Sequence, residues 1–202
     1  MAVFRVVEGI VSVEKEITKL DEFVLDVIKS IKQHVDYVII SGYVSIFFGR
    51  ARATEDVDIF IQDLQQEQFS ALYNELFQKG YEWTVDDPNE LFTEYLRCSL
   101  PVSVWRKDAP LLRVEMKIAQ KPSQRIAFQD RICVKFKGQE LFMASIEGQI
   151  AYKRYIARSD KDLADARHLE LVFPECNPRK VQEYRKLFEE DFHGSRRTDE
   201  IR

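Results

Sequence analysis

The sequence predicts an α/β chain of the α+β kind, with a mixed β-sheet, helices packed on it and a C-terminal helical bundle. Two observations point there. Strand-like alternation and helix-like spacing of apolar residues interchange as far as Met143, and helical spacing alone follows from Ser145. At 202 residues the chain holds one substantial core with a small appendage more comfortably than two independent cores. The expected division is a sheet domain over 1–143, a helical extension packed on it over 144–192, and a flexible tail over 193–202.

The elements follow in order. Leu20, Phe23, Val24, Val27, Ile28 and Ile31 recur at helical spacing, with Thr18 and Asp21 placed as a capping pair. Tyr37 to Ile40 reads as a short strand ending at Ser41-Gly42, and Ile46 to Phe48 reads as a short helix stopped by Gly49. Asp56 to Ile61 alternates acid with apolar residue, as a strand with one wet face does. Phe69, Leu72, Tyr73, Leu76 and Phe77 mark a helix stopping at Gly80, and Pro88 with Glu90 opens a brief one. Strands are expected over Leu96 to Trp105 and Leu111 to Ala119, joined by a turn at Lys107 to Pro110, and over Ile132 to Phe136 and Leu141 to Met143, divided near Gly138. Helices over Ser145 to Ala157, Ser159 to Leu171 and Pro178 to Phe188, the last capped by Asn177, complete the chain.

Composition narrows the classes of function. The chain is 45% hydrophobic and 32% charged, with seven glycines and six prolines, which describes an ordinary globular protein with little low-complexity linker. A net charge of −4 does not grip nucleic acid by bulk electrostatics. No stretch has the roughly 18 uninterrupted apolar residues of a membrane span, and the first residues lack a basic region followed by an apolar run, so a cytoplasmic protein is expected. Cys98, Cys133 and Cys176 are odd in number, widely spaced and without neighbouring histidines, which argues against a disulfide framework or a zinc cluster. His34, His168 and His193 show no spacing suited to a metal or a catalytic pair.

The chemistry concentrates in residues 39–61. On a strand, Asp56 and Asp58 project from one face and Val57, Ile59 and Ile61 from the other. Two such carboxylates repel unless a cation sits near them, which Mg²⁺ or an arginine can supply. On the pair alone, a solvated face neutralised by Arg50 or Arg52 is as good a reading as a metal site. Upstream, a strand delivering Ser41-Gly42 to a helix start exposes backbone N–H groups that favour an anion.

These residues resemble the motif of the nucleotidyltransferase superfamily: a hydrophobic residue, Gly, then Gly or Ser, followed some ten residues later by acid, hydrophobic, acid. Ile40-Ser41-Gly42 and Asp56-Val57-Asp58 match it with thirteen residues between them, although a serine stands where the first glycine is usual. Arg52, Thr54 and Asp56 are similar to the R-x-T-x-D run of its minimal and abortive-infection branches. Ser145 to Leu171 resembles the helical segment of abortive-infection E-type nucleotidyltransferases, and by position Lys153 would then contact a nucleotide phosphate. By residue pattern alone Lys153 is a solvated helix residue, Ser159 and Asp162 are a capping pair, and Asp165 pairs with Lys161 one turn earlier.

The resemblance implies a third carboxylate on a neighbouring strand. Alternation over Leu112 to Ile118 leaves Arg113, Glu115 and Lys117 on the open face, which makes Glu115 the candidate, with Asp108 in reserve and an ion pair to Arg113 or Lys117 as the bland alternative. The implied function is transfer of a nucleoside monophosphate from a nucleoside triphosphate to an acceptor hydroxyl, with pyrophosphate released. Asp56, Asp58 and Glu115 would hold Mg²⁺, or Mn²⁺ in its place, and Ser41, Gly42, Arg52, Thr54 and Lys153 would contact the nucleotide. RNA or tRNA, protein and small molecules all stand as acceptors. The competing reading is a degenerate member of the fold that binds or regulates, as in a toxin and antitoxin pair with a protein partner.

Overall fold

The computed structural model describes residues 3–7 and 9–199. The chain opens with β1 (Val3–Val7), β2 (Ile10–Glu14), α1 (Lys19–His34), β3 (Tyr37–Ile39) and α2 (Ser41–Phe47). It continues through β4 (Asp56–Ile61), α3 (Gln66–Gln78), β5 (Tyr81–Trp83) and α4 (Pro88–Glu90), which runs into π-helical turns over Leu91–Leu96. Then come β6 (Val102–Arg106), β7 (Ala109–Ile118), α5 (Pro122–Gln129), β8 (Ile132–Phe136) and β9 (Gln139–Met143). The last elements are α6 (Ile146–Ala151), prolonged as π-helical turns over Tyr152–Ala157, α7 (Asp160–Val172) and α8 (Pro178–Asp199).

The nine strands described form one mixed sheet in the order β1-β2-β8-β9-β3-β4-β7-β6-β5. At its centre β4 runs parallel to β7, with Asp56 opposite Arg113, Asp58 opposite Glu115 and Phe60 opposite Lys117. Partnered residues in adjacent strands point to the same side. Val57, Ile59 and Ile61, with Val114, Met116 and Ile118, therefore form one apolar face, and all six are buried. Helix α1 lies on this face, touching β7 and α3. The opposite face of β4 and β7 carries the charged residues.

Four elements lie outside the sequence reading: β1, β2, β5 and α5. The strand expected from Leu96 begins only at Val102, because Leu91, Phe92 and Leu96 coil into the π-helical turns and are buried there. Helix α8 passes its expected end at Phe188 and runs to Asp199, while residues 200–202 of the expected tail lie outside the described residues. No helix among the described residues is long and apolar enough to cross a membrane.

The expected cap of α1 is present and does more than cap. Asp21 accepts the Thr18 backbone N–H and hydroxyl, and the Thr18 hydroxyl accepts the Asp21 N–H. The same carboxylate, 1% exposed, takes Lys15 Nζ at 2.7 Å and the Tyr43 hydroxyl at 2.8 Å. Lys15 in turn stands 4.3 Å above the Phe47 ring. One buried charge thus ties the segment before α1 to α2, the helix that follows Ile40.

Burial raises the Asp21 carboxyl, but Lys15, Thr18 and Tyr43 outweigh it and hold the group below its ordinary value of 3.8. A lowered carboxyl contributes stability that is fully present above the ordinary value and is lost as pH falls through the folded one. Asp21→Ala leaves Lys15 and the Tyr43 hydroxyl without their acceptor and is expected to cost about 3–5 kcal/mol. In denaturant unfolding, the gap between wild type and variant should be full at pH 6 and narrow below the ordinary carboxyl value. A gap that stays constant down to pH 2 would contradict this account.

Candidate active site

Strand alternation places Asp56, Asp58 and Glu115 on the open face, as the sequence predicts, with Val57 buried behind them. Asp58 and Glu115 both line a cleft of ≈ 330 Å³ between the sheet and α5, α6, the π-helical turns after it, and α8. Among the described residues no three acidic, histidine or cysteine side chains are already gathered into a metal cage. Asp56 instead meets Arg113, its register partner, at 3.6 Å.

The electrostatics of the face are those of carboxylates short of positive charge. Burial pushes Asp58 above its ordinary range, opposed by the Ser41 hydroxyl, Lys117 and Lys153 and reinforced by Asp56. Burial, Asp58 and Asp56 push Glu115 up too, against Lys117 and Arg113. A raised carboxyl favours the fold at low pH and opposes it as pH rises through the folded value. Asp58 and Glu115 carry that cost, and with Asp56 they put on one face oxygen donors of the type a divalent ion takes.

Ser41 opens α2 with a φ of 62°, the left-handed region that glycine enters freely and serine does not. At this place the motif usually has glycine. Serine accepts a strain of about 1 kcal/mol, and its hydroxyl acts to lower the Asp58 carboxyl against the effect of burial.

Gly42 has a role that the sequence does not disclose. A Cβ there would stand 2.2 Å from Arg52 Nη2, so the guanidinium lies directly on the glycine. Arg52 is held there by Asp165 on α7, through Nε at 3.2 Å and Nη2 at 3.1 Å. Asp165 is fully buried and also takes Lys153 Nζ at 3.0 Å, with Arg50 3.6 Å away. Lys153, 1% exposed, reaches Asp162 at 3.3 Å as well.

Two bland readings fall here. Lys153 is not a solvated helix residue, and Asp165 pairs across the fold with Arg52 and Lys153 rather than with Lys161. Arg50 and Arg52 turn to Asp165 and leave the strand carboxylates to other cations. Thr54 gives its hydroxyl to the Asp56 carbonyl, which fixes the entry to β4. The Ser159–Asp162 cap is present as expected. Asp108 closes a surface pair with Arg106 at the β6–β7 turn, away from the cleft. His34 pairs with Glu75 and His168 with the Phe48 carbonyl, both structural contacts.

No protein-family model matches the chain, and no curated protein matches it by sequence. Solved structures do match in shape. ANT(2'')-Ia, in complex with adenylyl-2''-tobramycin, superposes with a TM-score of 0.55 at 14% identity, over 87% of this chain and 99% of that one. The lincosamide antibiotic adenylyltransferase LnuA, lincomycin-bound, gives 0.52 at 14% identity over 78% and 99%. An antigenic nucleotidyltransferase-like protein from Paracoccidioides brasiliensis gives 0.50 at 17% identity over 82% and 84%. The chain has the nucleotidyltransferase fold.

Gly42→Ala should push the Arg52 guanidinium off Asp165 and lower stability by about 1.5–3 kcal/mol, the scale of a lost hydrogen bond to a charged group. In the Arg52→Ala background the same substitution should cost much less. Equal costs in the two backgrounds would show that Gly42 is not there for Arg52.

Proposed function

We propose that this protein is a nucleotidyltransferase that moves a nucleoside monophosphate from a nucleoside triphosphate to an acceptor hydroxyl and releases pyrophosphate. One observation carries the reading. Asp58 and Glu115 stand opposite each other on neighbouring strands, Asp56 shares their face, and Lys153 stands near enough to lower the Asp58 carboxyl. The names of the similar adenylyltransferases support the same chemistry by analogy. The finer likeness to abortive-infection relatives, with an antitoxin-type partner, rests only on the residues quoted for it in the sequence.

Asp56, Asp58 and Glu115 would hold Mg²⁺, or Mn²⁺ in its place, which when bound lowers the pKa of the acceptor hydroxyl and stabilises charge on the leaving pyrophosphate. The acceptor oxygen forms a bond to the α-phosphorus as the bond to the bridging oxygen of pyrophosphate breaks, and the hydroxyl proton leaves to solvent. The Ser41 hydroxyl favours the ionised form of Asp58. Arg52 and Lys153 supply positive charge for the triphosphate, and Asp165 keeps both in place while they wait for it. The protein needs no nucleophile of its own, because positioning and electrostatics supply the acceleration.

Label from α-³²P nucleoside triphosphates, offered with Mg²⁺ and separated pools of RNA, protein and small metabolites, should pass to one of these pools. Asp58→Asn should cut the transfer at least about 100-fold. Glu115→Gln should cut turnover sharply while leaving nucleotide affinity within about threefold, a split read from the loss in kcat against that in kcat/KM. Nucleotide binding without transfer to any pool, and without response to Asp58→Asn, would favour the degenerate scaffold instead.

A further inference from the structure

Across the cleft from the strand residues Asp58, Phe60, Glu115 and Lys117 stands a wall of residues from α5, α6, the π-helical turns after it and α8. That wall is aromatic and fixed in place. Tyr152 meets Phe188 edge to face at 5.9 Å, and Tyr184 stacks on Phe188 at 5.8 Å. The Tyr184 hydroxyl is held from two sides, accepting from Ser145 at 2.9 Å and donating to Asp130. Rings held this way offer a flat apolar surface that needs no reordering when a ligand arrives.

Gln149 lines the cleft, is 6% exposed, and its Oε1 has no hydrogen-bond partner among the described residues. It stands one helical turn before Lys153, so the same helix that brings Lys153 toward Asp58 brings the amide to the deeper compartment. A buried amide left unpaired costs free energy that a ligand edge can recover.

We infer that this compartment binds an uncharged flat ring with a hydrogen-bonding edge, read by the Gln149 amide against the Tyr152, Tyr184 and Phe188 wall. The inference deepens the transferase reading, since Asp58 and Glu115 line the same cleft. The ring chemistry has two sources, the base of the nucleotide or the body of the acceptor. Gln149 is a specificity residue in either case.

Adenosine, cytidine, guanosine and uridine carry a ring, a polar edge and hydroxyls but no phosphate, so they probe the compartment apart from the metal face. In isothermal titration at least one should bind the wild type. Gln149→Leu should weaken that binding about tenfold or more, with a melting temperature unchanged or higher, because the substitution removes an unpartnered buried group. Titrating the nucleoside into protein saturated with a nonhydrolysable nucleoside triphosphate and Mg²⁺ then identifies the source. Lost binding makes the ring the nucleobase, and retained binding makes it the acceptor. The inference is overturned if no nucleoside binds or if Gln149→Leu binds as well as wild type. Nucleoside binding that responds to Gln149→Leu, in a protein that binds no triphosphate, would support the compartment and sink the transferase reading alone.

Discussion

A single buried carboxylate, Asp165, ties the two halves of the site together. It lies on α7, yet its partners are Arg52, from the loop before β4, and Lys153, from the end of α6. Fully buried, it cannot do without cations, and neither can Lys153 dispense with its acids, Asp165 and Asp162. This mutual need fixes where the C-terminal helices sit on the sheet. It also fixes the guanidinium over Gly42, where any side chain would collide with it.

Charge in the cleft is consequently sorted into two sets. On the strands stand carboxylates that burial and mutual repulsion raise above their ordinary range. Behind α2 lie cations whose charge is matched by Asp165 and Asp162. On the proposed function, a metal-bound triphosphate would meet both sets, its cation at the strand carboxylates and its phosphate oxygens at Arg52 and Lys153.

Much of this was legible in the sequence because its governing rules are local. Alternation in Asp56–Ile61 and Leu112–Ile118 decides which residues face the core, so Asp58 and Glu115 fall on open faces before any strand is paired, and the β4–β7 register then sets them opposite each other. The Thr18–Asp21 cap is written in four residues. What escaped depends on distant partners. The i, i+4 spacing offers Asp165 to Lys161, but its true partner Arg52 is 113 residues away. Gly42 looks like a phosphate cradle until Arg52 is seen on it. Strands β1 and β2 join the sheet through a parallel pairing of β2 with β8, which no pattern within residues 1–17 announces. Lys153 carries no local sign of burial, since its neighbours Tyr152 and Arg154 are far more exposed.

The account stands or falls on whether the strand carboxylates hold a divalent ion together with a nucleotide. Electron paramagnetic resonance of Mn²⁺, titrated with a nonhydrolysable nucleoside triphosphate present and absent, reads this without an acceptor. The account predicts Mn²⁺ binding by the wild type that tightens when the nucleotide is added and is lost in Asp58→Asn even though the variant stays folded. Mn²⁺ and nucleotide that bind independently of each other and equally well to the variant would contradict it.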